Sequence, residues 1–183
     1  MIKKMMDIEK DAILTVADLM CAAARTAPKG SGKDTIRTAI VTGKEKDDLR
    51  DAMIVEAREC GEEFIERDAG CVDRSEAVVL IGCIKTPFGY SGCGLCGHNT
   101  CADNLKTGGK CAFNITDLGI AVGSAVSIAM DNRIDNRVMY SVGRVARKLN
   151  YIEDMSIIYG IPLSISEKSI FFDRGPGAVI EVK

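Results

Sequence analysis

Ala77-Val78-Val79-Leu80-Ile81 is followed, after Gly82, by a segment of different character: Cys83 to Lys110 is rich in glycine and cysteine and poor in large aliphatic residues. The first part is apolar and β-branched, flanked by charge and glycine. It predicts a central strand covered on both faces. The second part cannot bury enough apolar surface to offset the entropy of ordering it, so something other than a core must hold it. The organisation implied is one domain over residues 1–183, with residues 83–112 as an insertion stapled by a bound metal cluster.

Within that insertion, Cys93-Gly94-Leu95-Cys96-Gly97-His98-Asn99-Thr100-Cys101, followed by Cys111, has the spacing C-x2-C-x4-C-x9-C. A cubane iron–sulfur cluster offers one open position on each iron, and thiolates fill them. Three ligands from one tight loop would wrap one side of the cube, with the fourth arriving from further along the chain. Gly92, Gly94 and Gly97 let the loop turn sharply and bring backbone amides near the sulfides. A four-thiolate zinc site is the main rival, although zinc sites usually show two separated C-x2-C knuckles. A redox dithiol through Cys93 and Cys96 is the third reading, and it leaves Cys101 and Cys111 without a role. Cys21, Cys60, Cys71 and Cys83 show no ligand spacing; Cys21 reads as a core thiol, and Cys83 is near enough to the loop to stand in as a ligand. His98, the only histidine, reads as a polar loop residue or amide partner.

Outward from this region the chain alternates helix and strand. Asp7 precedes an apolar-periodic run (Ile8, Ala12, Leu14, Val16, Leu19, Met20, Ala23) and is the expected cap of a first helix, ending near Thr26 because Pro28 follows. Thr35 to Thr42 reads as a strand, Lys44 to Cys60 as a helix and Glu63 to Glu66 as a short strand. Asn114 to Met130 reads as a small-residue helix capped by Asn114 or Thr116, with Asp117 near its positive end. Gly119, Gly123 and Ser124 allow close packing, either inside one subunit or across a dimer. Arg137 to Val142 is predicted as a strand, Gly143 to Asn150 as a helix and Met155 to Leu163 as a strand. Ser169 to Phe172 and Ala178 to Val182 are predicted to be extended.

Composition narrows the function classes. A net charge of −2, with both signs interspersed, gives no electrostatic footprint for nucleic acid. The longest uncharged apolar run, Leu118 to Met130, is too short to span a bilayer. No secretory signal follows the first methionines, so a cytoplasmic location is expected, where eight cysteines read as metal ligands or reduced thiols rather than disulfides. A single histidine argues against His-rich zinc catalysis and a Ser-His-Asp triad. With no Trp and 5% aromatics, the core has to be aliphatic. No general acid or base can be assigned: capping or solvation explains Asp34, Asp117 and Glu167.

The run Cys-Gly-x-Cys-Gly-x-x-x-Cys resembles the four-iron cluster domain of the Rnf electron-transport complex and of corrinoid iron–sulfur subunits. The remainder resembles the flavin-dependent nitroreductase fold. Ala27-Pro28-Lys29-Gly30-Ser31-Gly32 and the strand into Val41-Thr42-Gly43 look like that family's Ala-Pro-Ser-x-x-Asn segment and the strand after it. Asp117-Leu118-Gly119-Ile120-Ala121 looks like the start of its central helix. Ser156-Ile157-Ile158-Tyr159-Gly160-Ile161-Pro162 matches its closing strand. Taken together, the chain resembles the ferredoxin-domain family, a nitroreductase-like body carrying a cluster loop.

That resemblance implies an α+β fold, with a mixed sheet flanked by helices and an inserted cysteine-rich iron–sulfur loop. It also implies a homodimer with FMN at the subunit interface and a redox partner the sequence does not identify. Arg25, Lys29, Lys33 and Arg174 would supply charge to the FMN phosphate. The function implied is an iron–sulfur redox protein, either a flavin-linked oxidoreductase or an electron-transfer protein. The alternatives are a flavin-free cluster-bearing carrier or sensor and a structural zinc-binding interaction module.

Overall fold

A computed structural model describes residues 2–172. It contains helix α1 (Met5–Thr26), strand β1 (Ile36–Val41), helices α2 (Gly43–Cys60) and α3 (Glu63–Asp73), and strand β2 (Ala77–Ile84). Helices α4 (Cys101–Lys106) and α5 (Ala112–Asp131) follow, then β3 (Asp135–Asn136), α6 (Tyr140–Lys148) and β4 (Met155–Ser164). The strands form one four-stranded sheet in the order β1-β2-β4-β3. Every pairing is antiparallel, so the sheet is not mixed in direction.

The continuous apolar run of β2 has a different cause from parallel pairing: helices cover both of its faces. Ala77, Val79, Ile81 and Cys83 point one way, into a core shared with Ile13, Val16, Ala17 and Met20 of α1 and Leu118, Ala121 and Ala125 of α5. Val78 and Leu80 point the other way, onto Leu49 and Met53 of α2, Ile65 and Val72 of α3, and Val142 and Val145 of α6. The period-2 alternation of one strand thus feeds two cores, and the body is a three-layer α/sheet/α stack.

The structure departs from the sequence expectations at several ends. Residues 63–66 open helix α3 rather than forming a strand, because Ile65, Ala69 and Val72 recur at helical spacing and are buried. Of the strand expected over 137–142 only an isolated bridge between Met139 and Gly160 forms, and the short β3 lies just before it. Helix α6 starts at Tyr140 instead. A Cβ on Gly143 would lie 1.8 Å from the Ile158 carbonyl oxygen, so glycine lets this helix lie directly on β4. Helix α1 begins at Met5, and Asp7 sits in its first turn rather than at its cap. Residues 169–172 form turns, with Phe171 buried in the second core. Ala178 to Val182 and Arg174 lie outside the described residues.

Candidate metal centre

Between β2 and α5 the chain leaves the sheet and returns with only α4 as regular structure. Its two ends are pinned together by Asn114. That side chain is buried, and its Nδ2 donates to the carbonyls of Ile84 (3.2 Å) and Thr86 (2.8 Å). Asn114 therefore ties the exit of β2 to the first turn of α5. Cys111 occupies the cap position expected of Asn114 or Thr116. Asp117 has a second tying role: both carboxylate oxygens accept from the Gly30 N–H, at 3.1 and 3.2 Å, so the 3-10 turn Gly30–Gly32 is held against α5.

An aromatic trio fills the angle between that turn and the returning loop. Phe88, Tyr90 and Phe113 have ring centroids 4.9, 5.1 and 5.4 Å apart, the spacing of edge and offset aromatic contacts. Phe88 is buried, and its backbone N–H points at Cys111 Sγ, 3.4 Å away. The loop then turns at Gly94 (φ +61°) and Gly97 (φ +83°), where a side chain would be strained; the Gly97 N–H donates to the Gly94 carbonyl at 2.9 Å. Thr100 caps α4 by accepting from the Asp103 N–H at 3.1 Å. Asn104, buried, donates to the Lys110 carbonyl at 3.1 Å while its own carbonyl accepts from the Gly109 N–H at 2.8 Å. This closes α4 back toward Cys111.

The result is a tight pocket of about 20 Å³, lined by all four predicted ligands, Cys93, Cys96, Cys101 and Cys111, together with His98, Leu95, Asn104 and the aromatic trio. Cys93 is exposed and the other three are half-buried. Among the described residues, no three His, Cys, Asp or Glu side chains are grouped so that they could hold one metal ion. Cys111 precedes the long helix α5, whose first amides carry the positive end of the helix dipole toward the pocket.

The other thiols stay apart from the pocket. Cys83 is fully buried in β2, and burial pushes its thiol up. Cys71 and Cys21 are likewise pushed up by burial in or against the two cores. Cys60 is exposed at the end of α2. A stand-in ligand role for Cys83 has no geometric support, because its side chain belongs to the first core.

The cations expected near a flavin phosphate have other partners. Lys29 lies under the end of α1, its ammonium donating to the carbonyls of Ala24, Arg25 and Ala27, each at 2.8 Å. Burial, then the charge of Arg25, holds it below the ordinary lysine range, with Asp117 opposing. Arg25 pairs with Asp34. Lys33 donates to the Phe88 carbonyl at 3.1 Å. These three do not form a free phosphate cradle within one chain. Sequence reasoning missed Asn104 and Phe88; the only signal was an amide and an aromatic in a segment otherwise short of reasons to fold.

Comparison with known proteins gives a family and a fold. Residues 107–174 match the family described as "Uncharacterized protein containing a ferredoxin domain". The match takes in Cys111 but starts after the other three pocket cysteines. A protein of Archaeoglobus fulgidus, itself described as uncharacterized, is 38% identical over 178 residues, covering 93% of this chain and 96% of its own. Among solved structures, an FMN-dependent nitroreductase from Mycobacterium smegmatis in complex with NADPH superposes with TM-score 0.57 at 12% identity, over 84% of this chain and 78% of that one. A nitroreductase with bound FMN from Desulfitobacterium hafniense does so with TM-score 0.57 at 13% identity, over 85% and 79%. At that identity the likeness establishes the fold, which is nitroreductase-like: an antiparallel sheet flanked by helices.

Proposed function

This chain belongs to the family of uncharacterised proteins that contain a ferredoxin domain, and we propose that it is a cytoplasmic iron–sulfur redox protein in which Cys93, Cys96, Cys101 and Cys111 hold one four-iron, four-sulfur cluster. The observation carrying this is the pocket they line, set at the start of α5, with the Phe88 N–H directed at one of the thiols. Four cysteines lining one pocket, three of them from a single tight loop, suit a body with four ligand-accepting corners. The eight free thiols fit a reducing compartment.

When bound, such a cluster supplies one-electron transfer. The chain's part is to place and insulate it. The first amides of α5, just after Cys111, would offset negative charge at one end of the pocket. The Phe88 N–H donated to the Cys111 sulfur would raise the reduction potential of a cluster bound there. Phe88, Tyr90 and Phe113 keep water from the inner wall, while Cys93 and Leu95 leave the outer wall open to an electron-exchanging partner.

The flavin-linked form of this reading draws on the fold, since neighbours of that fold carry FMN in their descriptions. Arg25, Lys29 and Lys33 are engaged elsewhere, so they do not fit the phosphate, and no step is derived through a flavin. A homodimer is part of the same proposal. Ile115, Gly119, Ile120, Gly123 and Met130 form an exposed stripe on α5, and a Cβ at either glycine would meet nothing within 4 Å of its own chain.

The test is iron, sulfide, zinc and flavin content, with a visible spectrum, on protein purified without oxygen. About four irons and four sulfides per chain are expected. Stoichiometric zinc without iron would replace the redox reading with a structural one.

A further inference from the structure

The 3-10 turn Gly30–Gly32, with Lys33 at its end, is docked on the wall of the cysteine pocket. Five contacts join them. The Lys33 ammonium donates to the Phe88 carbonyl at 3.1 Å and lies 4.9 Å from the Phe88 ring centroid and 5.7 Å from that of Tyr90. Ser31 and Tyr90 share a hydroxyl–hydroxyl hydrogen bond. A Cβ on Gly30 would lie 3.0 Å from the Phe88 ring, so the turn and the ring are already in close contact. Gly30 itself is anchored to Asp117 of α5.

Phe88 is the hinge of this arrangement. Its carbonyl is held by Lys33, and its N–H is directed at Cys111 Sγ. The Phe88 carbonyl and N–H belong to adjacent peptide groups, so Lys33 acts by position: holding the carbonyl and ring in place keeps the N–H aimed at Cys111. Two contacts to aromatic faces hold the exposed lysine against the pocket wall. The four thiolate ligands and the cluster would make this the most negative body near the fold's surface, and Lys33 sits one residue from it through the Phe88 backbone.

We propose that Lys33 is a positioning residue that sets the reduction potential of the cluster, acting through Phe88 on Cys111. The proposal rests on the cluster reading given above. On reduction one electron enters the cluster from an external low-potential donor, and no covalent bond forms or breaks. The added negative charge would be stabilised by the Phe88 N–H that Lys33 holds in place. Lys33 thereby links the body to the cluster loop without being a ligand.

The experiment is anaerobic dithionite titration of reconstituted protein, followed by electron paramagnetic resonance, for wild type, Lys33→Gln and Lys33→Arg. Iron and sulfide content is measured on each sample first. Lys33→Gln is expected to shift the reduction equilibrium about tenfold toward the oxidised form, which is about 59 mV for one electron. Lys33→Arg, which keeps the charge and can still donate to a carbonyl, is expected to stay within about threefold of wild type. In metal-free protein, exchange of the Phe88 amide is expected to speed up about tenfold in Lys33→Gln, a readout that needs no cluster. An unchanged potential in Lys33→Gln, or an equal fall in both variants, would overturn the proposal. Wild-type protein that takes up no iron and sulfide would sink the cluster reading itself, a failure visible before any potential is measured.

Discussion

Removing the cluster should release the loop and spare the body, and the structure sets the size of both effects. Between residues 89 and 110 only Asn104 is buried, and neither hydrophobic cluster draws a residue from that stretch. Its order rests on a few backbone bonds, such as Gly97 to Gly94 and Gly109 to Asn104, and on the Asn104 side chain. Each such bond is worth about 1 kcal/mol net, whereas fixing each residue costs about 1–2 kcal/mol. Without its bound group the loop should therefore exchange its amides within about tenfold of an unfolded chain. A group bound at about a thousand times its dissociation constant adds about 4 kcal/mol, so the loaded loop should exchange about a thousandfold more slowly. Strands β2 and β4, packed between helices on both faces, should exchange only through global opening in either state, at a cost of about 5–15 kcal/mol. The assay is amide exchange read by mass spectrometry on loaded protein, before and after iron is stripped by a chelator. Cys96→Ser should behave like the stripped protein. Equal loop protection with and without the group would refute the reasoning, because the loop would then be holding itself. Loss of protection in β2 along with the loop would refute it too, because the body would then depend on the metal.

Lys29→Met should lower stability by about 3 kcal/mol, since it strips three charge-assisted bonds from the carbonyls that end α1 and leaves them partly buried. For a chain of this length that is about 6–12 °C in melting temperature, measurable by calorimetry, and added FMN should not rescue it. A second prediction concerns acid. Glu56 is buried between α2 and α6, paired with Lys148 and, at 2.5 Å, with Arg144. Chiefly the Lys148 hydrogen bond, then the Arg144 charge, holds its carboxyl below the ordinary value of 4.5 against the opposing effect of burial. A lowered carboxylate pKa stabilises the fold fully above that ordinary value, and the contribution is lost as pH falls through the folded-state pKa. Urea midpoints measured from pH 7 down to pH 3 should therefore converge for wild type and Glu56→Gln at the acid end, with wild type ahead at neutral pH. A constant gap across that range would show that the pair does not titrate.

What could be read in the sequence, and what could not, divides along the range of the interactions. The strands β1, β2 and β4 and the helices α2 and α5 are visible locally, because each is a run whose apolar period matches its own geometry. Helix α3 is not legible in Glu63 to Glu66 alone, since its core contacts Ala69 and Val72 lie beyond that stretch. The start of α6 was misplaced because Val138, Tyr140 and Val142 alternate as a strand would, and only the closeness of Gly143 to Ile158 shows why a helix fits there. The spacing of Cys93, Cys96 and Cys101 was legible for the same local reason as the strands. Cys111 is expected as the fourth ligand on the same spacing, but how the loop closes on it is not legible, because that depends on Asn114 reaching back to Ile84 and Thr86 and on Asn104 reaching forward to Lys110.

The cations show the deepest limit. A lysine's sequence context says that a charge is present but not where a long side chain carries it. Lys29 and Lys33 are near neighbours in one loop, yet one folds back onto a helix end and the other forward onto an aromatic wall. A phosphate reading assigned them the same role because it counted charges. The physical difference lies in what each meets: unpaired carbonyls at the end of α1 draw one, and the ring faces and carbonyl of Phe88 draw the other. Charge near a glycine-containing turn is thus insufficient evidence of an anion site. The deciding question is whether the fold has already supplied those charges with partners, and in this turn it has supplied both.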